Sequence, residues 1–245
     1  DLVGYPCFGG PGGPDTALIS GMRWLASWAP GGNARSFPEG TGIPMVPGSV
    51  LILQMHYNTI EEEPVADRSW LEFALTDEVE RPAALVPFLD IGWVIDDGMS
   101  IPAGDPDVVH STQMDFSNTA LGYLGSGIGL QSGDPFEIHL TAHHQHLLGT
   151  SNRSWITRPD GSESCLLDIA EWDFHWQESY SLATPVRVDP GDLLNLECHW
   201  DNTADNQRVV NGTQLPAQHI GWADGTTDEL CLGPYYITRV KYAAK

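Results

Sequence analysis

The stretch 136–149, FEIHLTAHHQHLLG, restricts the fold more than any other part of the chain because its residues alternate like those of a β-strand. One mostly apolar face of the predicted strand carries Ile138, Leu140, Ala142, His144, His146 and Leu148. His144 and His146 then lie roughly 6 to 7 Å apart along the strand, so both rings could bind one ion. Neutral imidazole suits Zn, Cu, Fe or Ni. The alternative is a pair of half-buried histidines that form hydrogen bonds with neighbouring groups.

The rest of the chain also predicts an all-β fold. It has 26 Gly and 18 Pro residues, and no stretch combines helical periodicity with helix caps. Further strands are predicted at 19–28, 49–59, 69–78, 165–169, 193–200 and 235–242, with one or two more in 83–95. A hairpin turn is predicted at 158–162 and a loop at 96–107. Strands that turns interrupt roughly every 8 to 12 residues indicate a sandwich or a barrel.

The charge of the chain excludes several classes of partner. The sequence has 33 acidic and 11 basic residues, which gives a formal net charge of -22. Nucleic acid and anionic membrane surfaces are therefore excluded as partners, because like charges repel. No stretch approaches the roughly 18 to 20 apolar residues of a membrane span. The acidic residues are spread along the chain, which indicates solubility rather than a substrate.

The four cysteines permit three disulfide pairings. Cys198 ends an alternating strand, and Cys231 lies in a run that also reads as extended, so paired antiparallel strands could bring these two within bonding range. The pairing of Cys7 and Cys165 stays open. An even count without a CxxC motif favours an oxidising compartment. We therefore expect the protein to be secreted, periplasmic or at the cell surface.

The stretch 49–59, SVLILQMHYNT, predicts a second notable strand. Both of its faces are apolar near the start, which is typical of a central strand in a sandwich. His56 ends the apolar run on its face. A core histidine and a metal ligand look the same at such a position.

Four stretches in this order resemble one family: LILQMHYNT (51–59), AHHQHLLG (142–149), DPGDLLNLECHWDN (189–202) and TTDELC (226–231). They resemble the copper type II, ascorbate-dependent monooxygenases, which include dopamine beta-monooxygenase, the peptidylglycine hydroxylating monooxygenases and bacterial relatives. The resemblance implies two jelly-roll-like β-sandwich domains packed side by side. One copper supplies electrons, and the other activates O₂ to hydroxylate a substrate C–H bond. Residues 1–95 would be the electron-transfer sandwich, in part, and residues 96–245 the oxygen-activating sandwich.

The resemblance also implies roles for individual residues. His144 and His146 match the pair that binds the oxygen-activating copper. His56 matches a single histidine that the family contributes to the electron-transfer copper. Cys198 and Cys231 match a family disulfide.

The sequence departs from the family pattern at two positions and lacks one motif. Leu230 replaces a methionine whose thioether completes the oxygen-activating site, so we expect a weaker two-histidine site. The adjacent His-His pair of the electron-transfer site has no counterpart in this sequence, so the first domain is expected to be incomplete at its N-terminus. An upstream segment or a partner chain would supply the missing strands and that pair. Ala142 stands where an arginine would bind a peptide carboxylate, so peptide amidation is not supported.

Two hypotheses of different class follow. The first is a copper-dependent monooxygenase, whole or part of a split or degenerate enzyme, that uses O₂ and a reductant such as ascorbate on a small-molecule substrate. The second is a non-catalytic structural or interaction module of an extracellular assembly that retains the sandwich fold. The intact histidine pair motivates the first, and Leu230 together with the absent His-His pair motivates the second.

Overall fold

The computed structural model describes residues 23–57, 66–96 and 98–241. Its strands are β1 (Thr41–Gly42), β2 (Arg81–Phe88), β3 (Val108–Met114), β4 (Phe136–Ala142), β5 (Gly149–Thr157), β6 (Glu163–Ile169), β7 (Ser179–Val188), β8 (Leu193–Trp200), β9 (Val209–Val210), β10 (Thr213–Gln214) and β11 (Gly233–Arg239). Its α-helices are α1 (Ile91–Ile95), α2 (Phe116–Thr119) and α3 (Leu121–Leu124), and 3-10 helices span Ser126–Ile128 and Ala204–Asn206. The all-β prediction is confirmed.

Two sheets form the sandwich. One has the strand order β1-β2-β11-β4-β7 and the other β3-β8-β5-β6, and β9 pairs with β10 in a separate hairpin. All pairs are antiparallel except β1 with β2. The chain passes from one sheet to the other at most connections, and apart from the short β1 this order is that of an eight-stranded jelly roll.

The core lies between the two sheets, and a disulfide joins them. Ile138 and Ile237 project from the first sheet and meet Leu194 and Leu196 from the second. The disulfide between Cys198 and Cys231 is present, and both residues are fully buried. The prediction that paired strands bring them together is wrong, because β8 pairs with β3 and β5, whereas Cys231 lies just before β11, a strand of the other sheet. Cys165 is exposed and unpaired in the structure, and Cys7 lies outside the described residues.

Several predicted elements are confirmed. Strand β8 spans the predicted residues 193–200, and β6 and β11 overlap the predictions at 165–169 and 235–242. The turn at 158–162 closes with a bond from the Arg158 amide to the Ser162 carbonyl at 2.8 Å. Gly161 in this turn has a φ of 83°, a conformation that glycine adopts without strain.

The stretch 83–95, where one or two strands are predicted, contains one strand. Strand β2 occupies the first part, and the second part is the helix α1. The side chain of Asp90 caps this helix by accepting a hydrogen bond from the Gly92 amide at 2.8 Å. Asp is a preferred N-cap residue, so Asp90 indicated a helix start in the sequence. The apolar residues of 91–95 indicated a strand instead.

The predicted strands at 49–59 and 69–78 do not form within the described residues. Apolar side chains there are exposed, including Val50 at 81%, Trp70 at 76% and Leu75 at 75%. Neither segment has a strand partner among the described residues. A strand needs a neighbour for its backbone N–H and C=O groups, so side-chain pattern alone did not produce one. Residues 58–65 are outside the described part of the chain.

The sandwich begins on the N-terminal side of the predicted domain boundary at residue 96. Strand β2 pairs with β11 inside the first sheet, and Val86 and Phe88 of β2 lie in its core. The division of the chain into two domains stays a prediction. None of the helices in the described residues is long and apolar enough to cross a membrane.

Candidate metal centre

A β-bulge in β4 determines where the histidine pair points. His139 is an additional residue in β4, because Ile138 and Leu140 pair with the successive residues Ile237 and Tyr236 of β11. As a result, Ile138 packs in the core between the sheets, whereas Leu140 packs with Tyr236 in a separate cluster on the outer side. The predicted common face of Ile138 and Leu140 is therefore wrong.

Beyond the bulge the side chains alternate again, and two residues point inward. The His143 ring lies 2.5 Å from Asn152 Oδ1 and 2.8 Å from Ser154 Oγ, both on β5 of the opposite sheet. Gln145 accepts a hydrogen bond from Asn152 Nδ2 at 2.6 Å and donates one to the His199 carbonyl at 2.9 Å. These buried bonds anchor the motif to the core. The side chains of His144 and His146, which alternate with these two residues, therefore point to the opposite side of the segment.

The imidazoles of His144 and His146 face each other. Their ring centroids are 5.1 Å apart, with an interplanar angle of 75°. His144 is half-buried and His146 is buried. The predicted pair is thus together in space, although both residues lie beyond the end of β4, where His144 forms an isolated bridge with Leu232.

Hydrogen bonds determine which nitrogen of each ring carries the proton. Gln177 Nε2 donates to the Phe174 carbonyl at 2.7 Å, so Gln177 Oε1 faces His144 Nδ1 at 2.5 Å and accepts its proton in a hydrogen bond. His146 Nδ1 lies 2.8 Å from the carbonyl oxygen of Asp228, which can only accept. Both rings therefore carry hydrogen on Nδ1, and both Nε2 atoms keep a free lone pair.

The surroundings keep both rings neutral. Burial, with the neighbouring His146 adding to it, lowers the pKa of His144 to about 4. Burial also lowers the pKa of His146, against the opposing effect of its bond to the Asp228 carbonyl. Metal binding requires neutral imidazole, so at neutral pH protons do not compete for these ligands.

An aromatic loop at 172–177 encloses the pair. Trp172 Nε1 donates to the His146 carbonyl at 3.1 Å. The Phe174 ring approaches the His146 ring edge-on, with centroids 6.1 Å apart. Gly149 makes room for the Trp172 indole, because a Cβ there would lie 2.9 Å from Trp172 Cδ1. The sequence indicated aromatic residues here but did not indicate Gln177 as a partner of His144.

A buried carboxylate supports the segment that contains His146. Glu229 is 1% exposed and accepts three N–H groups, from the His146 and Leu148 amides and from Trp200 Nε1. Burial raises the pKa of Glu229 to about 7, although these hydrogen bonds favour the charged form. Leu230, the next residue, is 6% exposed and has no donor atom for a metal. The one sequence signal for Glu229 was its position beside Leu230.

His56 does not join the pair as a ligand in the structure. It is exposed, and it lies near enough to contribute electrostatically to the lowered pKa of His144 and of His146. Within residues 23–57, 66–96 and 98–241, no three His, Cys, Asp or Glu side chains form a group that could hold a metal ion.

The donor set fits copper with an open coordination sphere. Two neutral imidazoles with free Nε2 atoms are suitable ligands for Cu, Zn, Fe or Ni, and Cu²⁺ has the highest affinity of these divalent ions for such ligands. The buried Leu230 offers no thioether sulfur, the soft ligand that favours Cu(I). The residues therefore fit the ion through two ligands.

Comparison with known proteins identifies the family. The family model of the copper type II ascorbate-dependent monooxygenase C-terminal domain matches residues 86–237. The chain is 25% identical over 213 residues to DBH-like monooxygenase protein 1 of Gallus gallus, covering 85% of this chain and 33% of that protein. It is 27% identical over 216 residues to dopamine beta-hydroxylase of Homo sapiens, covering 84% and 33%. It is 24% identical over 218 residues to tyramine beta-hydroxylase of Caenorhabditis briggsae, covering 86% and 33%.

The chain thus spans about a third of the length of these curated relatives. The matched region contains the whole histidine motif, the aromatic loop and the segment 228–232. Because the family model covers more than half of the chain, the family assignment holds for the sandwich described above. The chain belongs to the copper type II ascorbate-dependent monooxygenase family, through the C-terminal domain of that family.

Proposed function

We propose that this chain is the oxygen-activating part of a copper-dependent monooxygenase. The observation that carries this proposal is the pair of neutral imidazoles, with ring centroids 5.1 Å apart and free Nε2 atoms, in a chain of a copper monooxygenase family. Copper bound there supplies O₂ activation for the conversion of a C–H bond to C–OH. One oxygen atom enters the product and the other leaves as water, with two electrons from a reductant such as ascorbate and two protons.

The protein residues in this proposal bind and orient. His144 and His146 hold the ion through Nε2, while Gln177 and the Asp228 carbonyl hold the two Nδ1–H groups. Such partners orient ligands and raise their basicity. The Phe174 ring packs edge-on against the His146 ring and restricts the orientations that this ring can take.

The electron-transfer site belongs to the proposal as a separate centre. His56 would contribute one ligand to it, with the His-His pair supplied by an upstream segment or a partner chain. The exposed apolar side chains of 49–57 and 69–78 support this arrangement, because additional strands would bury them. The relatives, about three times as long as the matched region, support it as well.

Copper binding provides the first test. We expect the purified chain to bind one Cu(I) ion, and X-ray absorption to detect two imidazole ligands without sulfur. Replacement of both His144 and His146 by alanine should abolish this site, whereas His175→Ala on the neighbouring loop should leave it intact. Equal copper binding by the wild type and the double variant would refute the proposal.

A second function is favoured by the absence of a thioether at Leu230. A non-catalytic module of an extracellular assembly would keep the sandwich and would not need the ion. The double histidine variant distinguishes the two, because it should lose hydroxylation in the complete protein but keep any assembly function. The disulfide fits an oxidising compartment, and we propose a secreted, periplasmic or cell-surface location.

A further inference from the structure

The segment after β4 has backbone amides that no strand satisfies. Strand β4 ends at Ala142, and beyond it only His144 forms a backbone bridge, with Leu232. The amides of His146 and Leu148 instead donate to one side chain, that of Glu229, at 2.9 and 2.7 Å. Beyond the end of the strand pairing, the Glu229 carboxylate thus accepts the backbone hydrogen bonds that a neighbouring strand would otherwise accept.

Both oxygens of the Glu229 carboxylate accept hydrogen bonds from N–H groups. Oε1 receives the Leu148 amide, while Oε2 receives the His146 amide and, at 2.8 Å, Trp200 Nε1. All three partners are N–H donors. A glutamine of nearly the same shape would turn its NH₂ group toward at least one of them, and that N–H would lose its acceptor.

His146 is held at two points by adjacent residues. Glu229 Oε2 accepts from its backbone amide, and the carbonyl of Asp228 accepts from its ring at Nδ1. Because both the backbone and the ring of His146 are held, the direction of its Nε2 lone pair is fixed. If the Glu229 contact is lost, the backbone at 146–148 is free to shift and the ring bond to Asp228 loses its support.

We propose that Glu229 is a positioning residue of the metal centre, whose carboxylate holds the 146–148 backbone and thereby aims the His146 imidazole. The inference deepens the proposed function and rests on its metal pair. Its structural part, the control of the His146 backbone and tautomer, applies equally to the protein without metal.

The central experiment compares Glu229→Gln with Glu163→Gln, an identical chemical change at an exposed position of β6. We expect Glu229→Gln to lower the Cu(I) affinity about 10- to 100-fold, the range typical for the loss of an outer-shell partner. Glu163→Gln should leave the affinity unchanged. The core variant Ile156→Val, in the fully buried part of β5, controls for lost stability and should also leave it unchanged. Equal affinities for the two glutamine variants would overturn the proposal.

Two measurements without metal keep this test separate from that of the proposed function. In ¹⁵N NMR, wild-type His146 should show a single tautomer protonated at Nδ1, and Glu229→Gln should show a mixture. In hydrogen exchange, the wild-type His146 and Leu148 amides should be protected like the His144 amide. If wild type binds no copper, these readouts still decide the role of Glu229. If Glu229→Gln does not fold, wild-type exchange decides it, and unprotected amides at 146 and 148 would refute the proposal.

Discussion

Reduction of the Cys198–Cys231 disulfide should destabilise the sandwich strongly. The bond joins the two sheets and closes a loop with a sequence separation of 33 residues. In the chain-entropy relation, such a loop removes about 12.5 cal/mol/K from the unfolded chain, which is about 3.7 kcal/mol at 25 °C. For a domain of this size each kcal/mol shifts Tm by about 2–4 °C, so reduction should lower Tm by about 7–15 °C.

Thermal unfolding with and without a phosphine reductant measures this effect without creating a cavity. Cys165→Ser is the matched control, because Cys165 is exposed and an exposed substitution changes stability by no more than about 0.5 kcal/mol. The double variant Cys198→Ala and Cys231→Ala should lose more stability than reduction does, because both side chains are fully buried. Intact and reduced proteins that melt within about 2 °C of each other would refute the entropic argument.

Three further predictions concern the site and its surroundings. Leu230→Met should raise the Cu(I) affinity about tenfold, equivalent to about 1.4 kcal/mol, and should add a sulfur neighbour of copper in X-ray absorption. Because Leu and Met have similar volume, the free energy of unfolding should change by less than about 1.5 kcal/mol. Gly149→Ala should cost about 1–3 kcal/mol in urea unfolding, because the new Cβ would lie 2.9 Å from the Trp172 indole. His199→Gln should destabilise the protein at pH 5.5 by less than about 1 kcal/mol and have no effect at pH 9.

The sign of the His199 effect follows from its neighbours. Burial alone would lower the pKa of His199, but Asp107 and Glu197 outweigh burial and raise it above 6.5. The imidazolium is therefore favoured in the folded state, and its contribution is complete below pH 6.5 and disappears as the pH rises through the higher folded value. A variant that is as destabilised at pH 9 as at pH 5.5 would contradict this. For Leu230→Met the contradicting result is no sulfur neighbour, and for Gly149→Ala it is unchanged unfolding.

The sequence alone determined the elements whose signals are local. Strand β8 alternates over its whole length and follows a Pro-Gly turn, and the turn at 158–162 has the Pro, Asp and Gly that such a turn requires. The pairing of side chains at 144 and 146 on one face also needed only the period of two. These features depend on neighbours a few residues apart in the chain, so the sequence contains their causes.

The tertiary structure decided the features that depend on distant partners. The bulge at His139 is defined by the pairing of β4 with β11, and it turns Leu140 to the outer face and resets the alternation of the residues that follow. Gln177 and Glu229 acquire their roles from contacts with residues more than thirty and eighty positions away. The apolar segment at 49–57 shows the converse, because its strand pattern produced no strand without a backbone partner. Local preference is worth little free energy beside the hydrogen bonds and packing that distant residues provide.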